Sequence, residues 1–91
     1  MCRNIRQLHN FEPPATPDEV RAAALQYVRK ISGSTKPSKA NETVFERAVE
    51  EVTATSLRLL SELVTTAAPR DREIEAARAR TRAEKRFGAA A

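Results

Sequence analysis

Covalent or metal chemistry in this chain would have to start from its single cysteine and single histidine, Cys2 and His9. A cysteine nucleophile needs a base within hydrogen-bond reach. A structural zinc site needs about four ligands. One thiol and one imidazole therefore exclude an internal zinc site of cysteines and histidines, and they leave only a Cys–His pair. A short helix over the first ten residues would set the two about two turns apart. Removal of Met1 would also place an amine and a thiol on one residue. The simpler reading packs Cys2 as a small apolar group and leaves His9 on the surface. The chain has no glycine-rich phosphate loop and no paired-acid constellation. Glu42, Glu46, Glu50 and Glu51 gather at what reads as a helix start, where the dipole favours them. Nothing in these residues calls for a metal or a cofactor, and a binding role is expected ahead of an enzymatic one.

The remaining chemistry is charge. The formal net charge is +4, unevenly spread. Residues 1–40 carry seven Lys/Arg against three Asp/Glu, residues 41–66 two against five, and residues 67–91 seven against four. Two basic segments thus flank an acidic one. In the first, Lys36 and Lys39 lie in Gly-Ser-Thr-Lys-Pro-Ser-Lys-Ala-Asn (33–41), a stretch whose only apolar residue is one alanine. Arg29 and Lys30 precede it by one helical turn. Such a cluster suits an acidic protein surface or phosphate, and Pro37 stiffens it by fixing φ. In the second, Arg78, Arg82 and Lys85 share a helical face that Arg86 continues. They could follow a nucleic-acid backbone, although phosphate contacts alone would be non-specific and no recognition motif accompanies them.

Helices must position these residues. Thr16-Pro17-Asp18-Glu19 combines an N-cap, a proline at the first helical position and a capping-box glutamate. From there Val20, Ala23, Ala24, Tyr27, Val28 and Ile31 follow helical spacing. Gly33 supplies the left-handed stop. The pattern predicts a helix over about 17–32. A second, over about 41–64, starts from Asn41 as cap and aligns Val44, Phe45, Ala48, Val49, Val52, Leu59, Leu60, Leu63 and Val64. Residues 33–41 then form the turn of an antiparallel hairpin, whose core is predicted to bury Tyr27, Val28, Ile31, Phe45, Val52 and Leu59. Ile5, Leu8 and Phe11 are spaced for a short N-terminal helix, or one extended turn laid over the core, which Pro13 and Pro14 end. Pro69 is expected in the first turn of a charged helix over about 70–87, with pairs Glu75–Arg78 and Arg80–Glu84. Its only large apolar residues are Ile74 and Phe87, so it needs a partner or stays loosely held.

Ninety-one residues allow one modest core. Composition divides the chain into a helical domain, 1–68, and a charged C-terminal helix with tail, 69–91. One cysteine excludes an internal disulfide framework. No apolar run approaches the ~20 residues that span a bilayer, and the N-terminus lacks the apolar stretch of a secretory signal. A cytoplasmic protein without membrane contact is expected.

The stretches Met-Cys-Arg-Asn-Ile (1–5), Asn-Phe-Glu-Pro-Pro-Ala-Thr (10–16), Gln-Tyr-Val-Arg-Lys-Ile-Ser-Gly (26–33), Lys-Pro-Ser-Lys-Ala-Asn (36–41) and Pro-Arg-Asp-Arg-Glu (69–73) together resemble a family of small bacterial proteins of unknown function. That resemblance implies a bacterial source and brings no activity. More remotely, the layout is similar to the J-domain of co-chaperones, with a short helix, a capped basic helix, a proline-centred loop and a longer helix. Lys36-Pro37-Ser38 stands where J-domains carry His-Pro-Asp, so the proline alone is shared. This resemblance implies a helical fold with a docking edge at the turn.

The sequence therefore reads as an all-α protein. Its expected function is that of a non-enzymatic module docking to an acidic protein surface through the turn and its neighbours Arg29, Lys30, Lys36, Pro37, Lys39 and Asn41. The alternative is nucleic-acid binding through Arg78, Arg82, Lys85 and Arg86. The third is a small enzyme or redox protein built on Cys2 and His9. Self-association through the C-terminal helix is a further expectation.

Overall fold

The computed structural model describes residues 3–88, with side chains for residues 3–86. It is mainly helical. In chain order it contains strand β1 (Phe11–Glu12), helix α1 (Pro17–Ser32), a single 3-10 turn (Lys39–Asn41), helix α2 (Glu42–Glu62), strand β2 (Arg70–Asp71) and helix α3 (Arg72–Gly88). These elements fall into two compact units. One comprises the described part of Met1–His9 with Ala15–Thr65; the other comprises Asn10–Pro14 with the described part of Thr66–Ala91.

The first unit holds the core. Helix α1 begins where the capping box requires: the Glu19 backbone N–H donates to Thr16 Oγ1 at 3.2 Å, and the Thr16 N–H donates to Glu19 Oε1 at 3.0 Å. It ends at Gly33, whose φ of 70° is left-handed. Between these stops Val20, Ala24 and Val28 are buried at a strict spacing of four, and Ala24 and Val28 meet Phe45 and Val49 of α2. Leu25, Ala48 and Val52 pack around them half-buried. The expected apolar face was wider than this. Tyr27, Ile31 and Leu59 are 46, 67 and 55 % exposed, which corrects their assignment to the core. Two helices meeting through single rows of side chains cover one ridge on each partner. Tyr27 and Ile31 lie on the neighbouring ridge of α1, outside the cluster that α1 forms with α2.

The N-terminal segment is not helical, a second correction. Instead, the Gln26 side chain of α1 accepts the backbone N–H groups of Asn4 and Ile5 at 2.8 and 3.2 Å, and Arg6 pairs with Glu19 at 3.2 Å. Asn4 and Ile5 thus place their backbone donors on α1 rather than in a helix of their own. Helix α2 starts one residue later and ends two residues earlier than expected, at Glu42 and Glu62. Asn41 does not cap it with its side chain; its Nδ2 donates to Ser38 Oγ at 3.0 Å, closing the 3-10 turn.

The second unit contains a feature that a helical pattern does not forecast. Phe11 pairs with Arg70 and Glu12 with Asp71 in a parallel two-stranded ladder, so the fold is mainly rather than wholly α. Asn10 makes this junction. Its φ is 63°, a conformation that asparagine tolerates better than most residues. Its Nδ2 reaches the carbonyls of Ala67 and Ala68 at 3.3 and 3.2 Å, and its own carbonyl accepts the Arg70 N–H at 2.8 Å. Helix α3 therefore starts after the strand, not at Pro69, and Asp71 Oδ1 accepts the Ile74 N–H at 3.0 Å. Arg78 pairs with Glu75 at 3.3 Å as spaced; the Arg80–Glu84 pair is not among the ion pairs of the described residues.

Candidate functional site

The basic residues at the end of α1 and in the following turn are set by local bonding. Arg29 Nε donates to the Thr35 carbonyl at 3.0 Å, so one guanidinium edge holds the turn back against the helix. Ser34 Oγ donates to the Lys36 carbonyl at 3.0 Å, and the Ser34 N–H donates to Ser32 Oγ at 3.3 Å. The Asn41 N–H donates to the Ser38 carbonyl at 2.9 Å. Pro37 is half-buried between these closures. Six of the ten residues 32–41 thus take part in these hydrogen bonds, and a turn closed in this way loses less entropy when it is ordered by a partner. Lys30, Lys36 and Lys39 are exposed, and none enters an ion pair among the described residues.

On one side of the turn lies an open cleft of about 410 Å³. Its cations are Arg3, Arg29 and Lys30; Asn4, Gln26 and Thr35 add polar groups, and Ala22 and Leu25 form an apolar floor. No carboxylate lines it. Arg3 is brought here by the bonds from Asn4 and Ile5 to Gln26. The sequence marked Arg29 and Lys30 but not Arg3, Asn4, Gln26 or Thr35. Gln26 lies 22 residues from Asn4 in the chain, and no local pattern announces a contact between them.

The other candidates are distributed. Arg78, Arg82, Lys85 and Arg86 are exposed on α3. Arg78 is engaged by Glu75. Arg78 and Arg82 border a shallow groove of about 390 Å³ with Ile74, Ala77 and Thr81. His9 is half-buried, and its carbonyl accepts a bond from Gln7 Nε2 at 3.3 Å. Cys2 lies outside the described residues, and so does any pairing of it with His9. Among the described residues no group of three or more His, Cys, Asp or Glu is placed to hold a metal ion, and no helix is long and apolar enough to cross a membrane.

Among known families, the model described as Uncharacterized conserved protein (DUF2277) matches residues 1–78. No curated protein and no solved structure matches the chain.

Proposed function

The chain belongs to this uncharacterized conserved family, and from that premise we propose that it is a non-enzymatic interaction module whose turn 33–41 docks to an acidic protein surface. In this reading α1 and α2 are the arms of an antiparallel hairpin, and the turn is its tip. The observation that carries the proposal is the bracing of the tip: its backbone is closed by Arg29, Ser34 and Asn41, while Lys30, Lys36 and Lys39 stay outside the ion pairs. A stiff tip with uncommitted positive charge gains steering and orientation from an acidic partner at low entropic cost. The matched family region includes this turn and stops at Arg78, before Arg82, Lys85 and Arg86. Affinity capture from cell extract with the wild-type chain and with a Lys36→Ala/Lys39→Ala variant tests it. The double variant is expected to keep its helicity and to lose the captured protein. Equal capture by both forms reduces the turn to a connector.

A second reading has its own support. Arg78 and Arg82 share the groove face of α3 with Ile74, so positive charge and an uncovered apolar strip coincide there. Nucleic-acid binding through that helix would be salt-sensitive and indifferent to sequence. Retention on duplex DNA that disappears in an Arg82→Ala/Lys85→Ala/Arg86→Ala variant, but survives in the turn variant, would favour it.

A further inference from the structure

The cleft beside the turn is a separate feature from the exposed lysines of the tip. It gathers three formal cations, Arg3, Arg29 and Lys30, and no carboxylate. Like charges converge at a cost unless something holds them. Here the holding is visible: Gln26 Oε1 accepts two backbone N–H groups from the segment that carries Arg3, and Thr35 fixes the Arg29 guanidinium through Nε. The Nε bond engages one edge of that guanidinium and leaves the two Nη groups available as a bidentate fork. Gln26, having used its oxygen as acceptor, keeps an amide donor. Donors and positive charge therefore dominate the lining, with Leu25 as an apolar floor.

A tetrahedral oxyanion matches this set better than a planar carboxylate, because several donors arrive from the segment, the helix and the turn at once. The C-terminal end of α1 opposes an anion with about half a negative charge, and three formal cations outweigh it. The cleft is open to solvent, and its volume of about 410 Å³ leaves room for more than a bare phosphate. We infer that the Arg3–Arg29–Lys30 cleft is a binding site for the phosphate group of a small phosphorylated molecule, with the organic part lying on Leu25. This site shares Arg29 and Lys30 with the docking reading but requires neither Lys36 nor Lys39.

The test is an amide chemical-shift titration of the full-length chain with inorganic phosphate and with phenyl phosphate, at matched ionic strength, with chloride as the control. Saturable shifts are expected at Asn4, Gln26, Lys30 and Thr35, with phenyl phosphate binding at least several-fold more tightly than phosphate. Arg3→Gln, an exposed substitution outside every helix, should weaken binding at least five-fold while preserving the helical spectrum. Arg29→Lys keeps the charge but not the fork, and should weaken it as well. Lys36→Ala/Lys39→Ala should bind phenyl phosphate as the wild type does, which separates this site from the docking reading. Shifts that match those of chloride, or that persist unchanged in Arg3→Gln, would overturn the assignment.

Discussion

Phe45 shows how few residues support the first unit. It is 8 % exposed and packs with Ala24, Val28 and Val49, none of which is large. Truncation to alanine is expected to cost ~3–5 kcal/mol, a large share of a typical domain's stability. Chemical denaturation of Phe45→Ala reads this directly; a loss below about 1 kcal/mol would place the ring outside the core. Ile31, at 67 % exposure, should by contrast tolerate alanine within about 0.5 kcal/mol. Gly33 makes a backbone prediction. A Cβ there would meet nothing within 4 Å, so only its φ of +70° resists substitution. Gly33→Ala should cost about 1–2 kcal/mol, and a neutral result in the same denaturation assay would mean that the stop is not left-handed in solution. What was legible at this scale was local. Thr16, Glu19 and Gly33 act within one turn of themselves, and their roles followed from type and position. Gln26 and Asn10 act on residues far away in the chain, and neither has a sequence pattern that names its partner.

At the scale of elements, α1 was read to the residue because both of its ends carry strong local signals. The burial of its apolar face was not, because periodicity identifies a stripe without saying how many neighbours will cover it. The failed N-terminal helix has the same origin: Ile5, Leu8 and Phe11 had the spacing, but side chains of α1 offered the backbone a better set of bonds. The β1–β2 ladder could not be foreseen from two-residue strands. Helix α3 matched its reading in charge and exposure, with Ile74 52 % exposed. Since, among the described residues, none of the five buried core residues lies beyond Val49, a chain ending at Thr65 is expected to keep cooperative thermal unfolding. Loss of that transition, followed by circular dichroism, would make the C-terminal segment part of the core. If α3 is completed by a second copy, helicity of the full chain should rise with concentration while that of the truncated chain stays constant; equal curves would exclude self-association through it.

For the molecule as a whole, the asymmetry of charge makes the proposed docking testable by salt. Under the proposed docking, the exposed lysines of the turn would act mainly through long-range attraction, which is screened as the Debye length shrinks from about 30 Å at low salt to about 8 Å at physiological salt. The small core sets the opposite requirement, that changes at the tip leave the fold intact. Replacing Lys36 and Lys39 should alter stability by no more than about 0.5 kcal/mol, so any binding defect can be assigned to the surface. The most direct measurement is the affinity of the captured protein for wild-type and Lys36→Ala/Lys39→Ala chains across that range of salt. The wild type is expected to bind tightly at low salt and to weaken steeply, and the double variant to bind weakly with a flattened dependence. Parallel curves of equal affinity would contradict docking through the turn.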